Sequence, residues 1–294
     1  MSLLRRFGYG RKVHAGPGRR NPGSTPSNAV HDESTVLRLA SELQRLSPER
    51  AEFLLTLLCR GLGEEIADSE RYQAAEVLAG AVYPKYRFSE FARIFLEDDA
   101  FLTYYERFMD VGNWHSLDRK YTLDQLLKLT LHLEGDLVEC GAYKGASAYL
   151  MCKAFRNSDC VVHLFDSYEG LSAPGNRDGA YWTKGALQTP EAVLHQSLAE
   201  FHNYRSYKGW IPNRFGEVAD RRFRFLHVDV DLFQPTLDSL NFFYERVVPG
   251  GLILMDDYGF TTCPGAKRAA DEFFASKPER IVMLSTGQAF TVKR

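Results

Sequence analysis

The hydrophobic positions keep a helical rhythm over the first part of the chain and a strand-and-helix alternation over the second. Val36, Leu37, Leu39, Ala40, Leu43 and Leu46 predict a helix over 32–46. Ser47-Pro48-Glu49 then opens a second helix, with an N-cap hydroxyl, a proline at the first helical position and an acid facing the dipole. Phe53, Leu54, Leu57 and Leu58 form its apolar face, and Gly61 or Gly63 ends it. Residues 66–110 continue helical and carry Tyr72, Phe88, Phe91, Phe95, Phe101, Tyr104, Tyr105 and Phe108, a stripe that suits core packing, a substrate lid or a subunit contact. A further helix is expected over 121–133.

From residue 136 the pattern changes. Short apolar runs at 136–141, 161–165, 223–228 and 252–255 read as buried strands. Helical stretches at 146–155, 189–201, after Asp231 and at 264–277 alternate with them, while 171–188 and 209–215 read as a loop and a turn. Two short strands, 281–284 and 289–292, close the chain as a hairpin through Ser285-Thr286-Gly287. Strands alternating with helices imply βαβ units, so the expected class is α/β: a Rossmann-like parallel sheet with flanking helices and an N-terminal helical extension. The expected divisions are a disordered basic arm (1–30), a helical region (31–118) serving as lid or homo-oligomer contact, and a catalytic domain (119–294).

Composition narrows the class. At 294 residues, with 45% hydrophobic and 25% charged positions, the chain has the make-up of an ordinary globular protein. A net charge of −2 gives no overall attraction to nucleic acid or an anionic membrane, and no apolar run approaches a bilayer span. Arg5, Arg6, Arg11, Lys12, Arg19 and Arg20 make the first 30 residues basic, but the glycines and prolines among them oppose the amphipathic helix of a transit peptide. Five cysteines without a CxxC pair read as reduced, mostly buried thiols, and the expected compartment is the cytoplasm.

The candidate chemistry lies at the ends of the strands. The apolar run Phe223, Phe225, Leu226, Val228 ends at Asp229, with Asp231 two residues on, and the run 252–255 ends at Asp256-Asp257. In an open parallel sheet the carboxyl ends of the strands share one edge, where ligands bind. Asp229, Asp256 and Asp257 therefore form a candidate site for a hard divalent cation such as Mg²⁺ or Ca²⁺, since oxygen donors favour such ions. Upstream, Glu139-Cys140-Gly141-Ala142-Tyr143-Lys144-Gly145-Ala146-Ser147 occupies a strand-to-helix junction, and Asp166 ends the following strand. Glycines let a ligand approach the backbone closely; an acid before them suits a cationic amine, and a carboxylate at Asp166 suits ribose hydroxyls. Among the histidines, His163 and His227 read as structural, while His115, His195 and His202 stay open as proton-transfer groups.

The segments GDLVECGAYKGASA, HLFDSYEGL, YKGWIPNRF, LHVDVDLFQPTLDSL, VVPGGLILMDDYG and PGAKRAADEFF, in this order, closely resemble the macrocin O-methyltransferase family of class I S-adenosylmethionine-dependent methyltransferases. The resemblance covers residues 120–294. It implies O-methylation of a hydroxyl on a small molecule, often a sugar of a natural product, with S-adenosylmethionine and Mg²⁺. It places the methionine part of the cofactor on Glu139, Gly141 and Gly145 and the ribose on Asp166. Tyr143 and Ser147 in the same turn, and Ser167 beside Asp166, complete the expected cofactor set. Asp229, Asp256 and Asp257 would hold the metal. The similar catechol-type enzymes carry a lysine base three residues after the first metal Asp; Leu232 stands there in this chain. Asp229 is then the first choice of base and Asp231 the second, and Tyr181, Trp182 and Trp210 are candidate walls for substrate or adenine. Two other classes are weighed against this reading: a metal-dependent glycosyltransferase using Asp229-Val230-Asp231, and a non-catalytic binding member of the fold.

Overall fold

A computed structural model describes residues 41, 45–63, 66–83, 85, 93–109 and 115–294. The expected basic arm, most of the helix expected over 32–46, and the aromatics Phe88 and Phe91 lie outside the described residues. The chain forms two compact units, Met1–Ala92 and Arg93–Arg294.

In the first unit two helices pack together, α1 (Pro48–Gly61) and α2 (Asp68–Val82). Ser47 caps α1 by accepting a hydrogen bond from the Arg50 N–H, with Pro48 in the first turn as the sequence predicts.

The second unit opens with a short 3₁₀ turn (Ile94–Glu97), α3 (Asp99–Phe108) and α4 (Leu117–Lys128). Helix α4 starts before the expected residue 121 because the Ser116 side chain caps it, accepting from the Arg119 N–H. Phe95, Phe101, Tyr104, Tyr105 and Phe108 are buried core residues of this unit. Tyr104 stacks on Tyr149 and donates a 2.7 Å hydrogen bond to the Ala146 carbonyl.

The sheet follows: β1 (Asp136–Cys140), α5 (Ala146–Ala154), β2 (Val162–Asp166), α6 (Glu191–Ser197), β3 (Tyr204–Lys208), β4 (Phe223–Val228), α7 (Phe233–Phe243), β5 (Val247–Met255), α8 (Pro264–Phe274), β6 (Val282–Met283) and β7 (Ala289–Val292). Its order is β3-β2-β1-β4-β5-β7-β6; the first five strands run parallel, and β7 is antiparallel to both β5 and β6. Leu137, Val138, Leu226, Ile253 and Leu254 have no exposed surface, as expected of strands covered by helices on both faces. The sequence reading missed β3. Its alternating Tyr204–Lys208 buries only Tyr207, because it forms the sheet edge beside β2. Helix α6 is shorter than the expected 189–201, and Leu194 and Leu198 are its buried contacts.

Strand order reverses direction between β1 and β4, and a crevice opens at the carboxyl ends of such a pair. Backbone bonds continue the ladder past the strand ends there. The Gly141 N–H donates to the Phe165 carbonyl at 2.8 Å, Asp229 to Cys140 at 2.9 Å and Asp256 to Val228 at 2.9 Å. The residues that sequence reading picks out are thus held by the sheet itself.

Candidate active site

A cavity of about 310 Å³ opens at this crevice. Of the expected cofactor residues, Glu139, Gly141, Tyr143, Ser147, Asp166 and Ser167 line it, and Gly145 does not. Of the expected metal ligands, Asp229 and Asp257 line it, while Asp256 is fully buried behind them. Tyr181, Trp182 and Trp210 all lie on its wall.

The turn after β1 owes its glycines to the sheet as much as to any ligand. Gly141 has φ +91°, and a Cβ there would meet the Asp229 carbonyl oxygen at 1.7 Å. Only glycine lets the ends of β1 and β4 come this close. Gly145, also at φ +91°, is the N-cap of α5 and would press a Cβ to 3.0 Å from Leu194. Tyr143 takes a left-handed conformation between them (φ 45°), steadied by its N–H donating to Asp166 Oδ2 at 2.8 Å. Asp166 Oδ1 accepts from the Tyr168 N–H at 2.7 Å. Burial pushes the Asp166 carboxyl up against these backbone bonds. The Ser167 hydroxyl serves its own turn, donating to the Gly170 carbonyl and accepting from the Glu169 N–H.

Glu139, His227 and Asp256 form a row across β1, β4 and the end of β5. His227 Nδ1 lies 2.9 Å from Glu139 Oε1, and its Nε2 lies 3.3 Å from Asp256 Oδ1. Gln288 donates to the same Asp256 oxygen at 2.6 Å. His227 thus joins the two candidate sites through its two ring nitrogens. Glu139 exposes 1% of its surface, and its Oε2 has no hydrogen-bond partner among the described residues. Burial pushes its carboxyl up, against the pull of His227.

The carboxylates form two clusters. His227, Asp229 and Asp256 can bring one donor atom each within 4.8 Å of one another, and so can Asp231, Asp257 and Cys263. Asp257 Oδ2 accepts from the Asp231 N–H at 2.9 Å, and the Cys263 thiol donates to Asp231 Oδ1 at 3.4 Å. Burial would raise the Asp229 carboxyl, but the charges of Lys120, His227 and Arg119 outweigh it and hold it below the usual range. Burial, with Asp257 and Asp229 nearby, pushes Asp231 well above that range; burial and Asp229 push Asp257 up to about 6.

Two cations that balance this acid were not foreseen. Arg119 forms an ion pair with Asp256 Oδ2, lies 4.0 Å from Asp257 Oδ1 and stacks over Phe260 at 4.9 Å. Lys120 is 3% exposed and donates to Ser147 Oγ at 2.6 Å. Both lie on α4, where lysine and arginine usually mark a solvated face. Of the open histidines, His115 lines the cavity. His195 is half exposed off the cavity wall, paired with Tyr204 and Glu191, and His202 is exposed. Four cysteines are buried and Cys59 is exposed, none of them in a disulfide. Among the described residues, no helix is long and apolar enough to cross a membrane.

Comparison with known proteins joins this geometry to a family. The profile of macrocin-O-methyltransferase (TylF) matches residues 121–281. A demethyldecarbamoylnovobiocin O-methyltransferase of Streptomyces niveus is 32% identical over 158 residues, which are 49% of this chain and 60% of that protein. An 8-demethyl-8-(2,3-dimethoxy-alpha-L-rhamnosyl)-tetracenomycin-C 4'-O-methyltransferase of Streptomyces olivaceus is 30% identical over 45% of this chain and 56% of its own. The chain thus spans less than two thirds of the length of these curated relatives. Among solved structures, the O-methyltransferase NovP superposes with a TM-score of 0.55 at 21% identity, covering 83% of this chain and 99% of its own. The calicheamicin methyltransferase CalS11 does so at 0.54 and 14% identity, covering 84% and 93%. These two likenesses show the fold. The profile spans more than half of the chain and takes in the glycine turn and every carboxylate of the site, so the chain belongs to the macrocin-O-methyltransferase family.

Proposed function

We propose that the chain is an O-methyltransferase that takes its methyl group from S-adenosylmethionine and places it on a hydroxyl of a small natural-product intermediate. The observation that carries this reading is Glu139 Oε2, a buried carboxylate oxygen with no hydrogen-bond partner among the described residues, on the wall of the strand-end cavity. Such a group calls for a ligand bearing a positive charge. Asp166, at the end of the neighbouring strand, keeps lone pairs for ribose hydroxyls, and Tyr143 and Ser147 line the same cavity. The acceptor class follows the relatives' names, one of which specifies a rhamnosyl group.

Glu139, Ser147 and Asp166 would hold the cofactor, which when bound supplies an electrophilic methyl group on a sulfonium. Asp229 and Asp256 fall in one cluster and Asp257 in the other; together they would supply the oxygen donors that a hard divalent cation takes. Such an ion supplies positive charge that favours the deprotonated form of a nearby hydroxyl. Arg119 lies at the same carboxylates, so it would withdraw from Asp256 when the ion binds. Trp182 and Trp210 lie on the cavity wall, where they would shield a bound acceptor from water. Among the carboxylates, Asp229 is held low by its cationic neighbours and suits the task of orientation and charge. Asp231 faces the same cavity with Asp257 and Asp229 outweighing Arg119 among its charged neighbours, which suits it to accept the proton of the acceptor hydroxyl. This reverses the order of preference taken from the sequence.

Incubation with methyl-labelled cofactor and a panel of hydroxylated glycosides, read by mass spectrometry, tests the proposal. Label should appear in one acceptor, and both EDTA and Asp256→Ala should abolish it. Asp231→Asn should lower turnover by about 10²–10⁴-fold while cofactor affinity is kept. Full transfer in excess chelator removes the metal from the account, and an unimpaired Asp231→Asn removes that base. The glycosyltransferase alternative has no support in the family match.

A further inference from the structure

Lys120 is an ammonium buried in the protein with a hydroxyl as its only hydrogen-bond partner among the described residues. It exposes 3% of its surface and donates to Ser147 Oγ at 2.6 Å. An ammonium has three donors, and Ser147 takes one. No carboxylate oxygen among the described residues lies within 4.0 Å of Nζ. Asp229, Glu139 and Asp257 act on it as opposite charges without bonding to it among the described residues. A buried ammonium that keeps free donors is costly, and in native proteins such donors are bonded or serve a ligand.

The surroundings specify the ligand. Lys120 and Ser147 line the same cavity as Glu139, whose Oε2 is buried and unpartnered. Ser147 is the second residue of α5, and Gly145 at the N-cap gives that helix start no side-chain acceptor. The same cavity therefore offers a carboxylate oxygen with no hydrogen-bond donor among the described residues, an ammonium of whose three donors Ser147 takes one, and a helix start without a side-chain cap. A simple anion would be repelled by Glu139 and a simple cation by Lys120. A zwitterion satisfies both.

We propose that Lys120 is the anchor for the α-carboxylate of the cofactor's amino-acid tail, held together with Ser147, while Glu139 takes the α-ammonium. The inference rests on the reading of the cavity as a site for S-adenosylmethionine and adds to it a residue from outside the glycine turn. The same contact explains how a charged residue of α4 is tolerated against the core. It also ties α4 to the cofactor end of the sheet.

The test is a double-variant cycle read by titration calorimetry, with S-adenosylhomocysteine and its decarboxylated analogue as probes. Wild type should bind the decarboxylated analogue about 10- to 100-fold more weakly than S-adenosylhomocysteine. Lys120→Met should weaken S-adenosylhomocysteine by a similar factor and leave the analogue within about two-fold, because the lost partner is already missing. Lys120→Arg should recover part of the affinity for the carboxylated ligand only. Equal losses for both ligands in Lys120→Met, or no loss for either, would overturn the anchor and leave Lys120 as an internal counter-charge to Asp229. Should Lys120→Met fail to fold by circular dichroism, Ser147→Ala takes its place in the cycle, with the loss again expected only for the carboxylated ligand and an equal or absent loss again counting against the seat. Failure of wild type to bind either probe would instead sink the cofactor reading itself.

Discussion

At Glu139 one carboxylate oxygen is committed to His227 and the other is buried without a hydrogen-bond partner among the described residues. Glu139→Gln keeps the size of the side chain and removes the charge. It should weaken S-adenosylmethionine by about 10- to 100-fold, the loss expected when a charge-assisted bond becomes a neutral one. Unchanged affinity in a calorimetric titration would deny Glu139 that role. Glu139, Asp166, Asp229 and Asp257 were legible in the sequence because each follows an apolar run, and the end of a buried parallel strand is where a fold of this class brings polar groups together. Arg119 and Lys120 were not legible. On a helix their neighbours give no sign that the chain will press this face against the sheet edge, so solvation is the natural reading. The relation of Asp229 to Asp231 was hidden for a similar reason. Two acids two residues apart look alike in sequence, yet the fold sets one beside Lys120 and His227 and the other beside Asp257 and Cys263.

At the scale of elements, the entry of β1 shows how the scaffold is fastened opposite the site. Asp136 accepts from the Val161 N–H at 3.0 Å, lies 3.1 Å from His163 Nε2 and has Arg221 at 3.8 Å. Burial alone would raise this carboxyl, but His163, the Val161 N–H and Arg221 together hold it below its ordinary value. A carboxyl depressed in the folded state adds stability above its unfolded pKa, near 4, and the gain is lost as pH falls through the folded value. Asp136→Asn should therefore cost about 1.5–3 kcal/mol at pH 7 and much less at pH 3, measured by urea unfolding at the two values. A gap that stays constant with pH would show that the interaction is not electrostatic. The strands of this region were legible where they are continuously apolar, as in β1, β2, β4 and β5. Strand β3 was not, because an edge strand needs only one buried face, and Tyr204–Lys208 buries a single side chain. Helix ends shifted where capping decided them, as Ser116 did for α4.

For the whole molecule, the reversal of strand order between β1 and β4 gathers residues distant in sequence at one crevice. The family profile begins at residue 121, just past Arg119 and Lys120, so these cations stand at the margin of what the family match covers. Acceptor choice was illegible at this scale, since part of the cavity wall comes from the 171–188 loop and residues around Trp210, whose composition specifies packing rather than a partner. The central claim is that this cavity receives a sulfonium nucleoside. Titration calorimetry of the full chain with S-adenosylmethionine tests it most directly. The account predicts a saturable heat with one site per chain, lost in Asp166→Ala. No heat at high protein concentration, together with binding of a nucleoside diphosphate sugar, would contradict it.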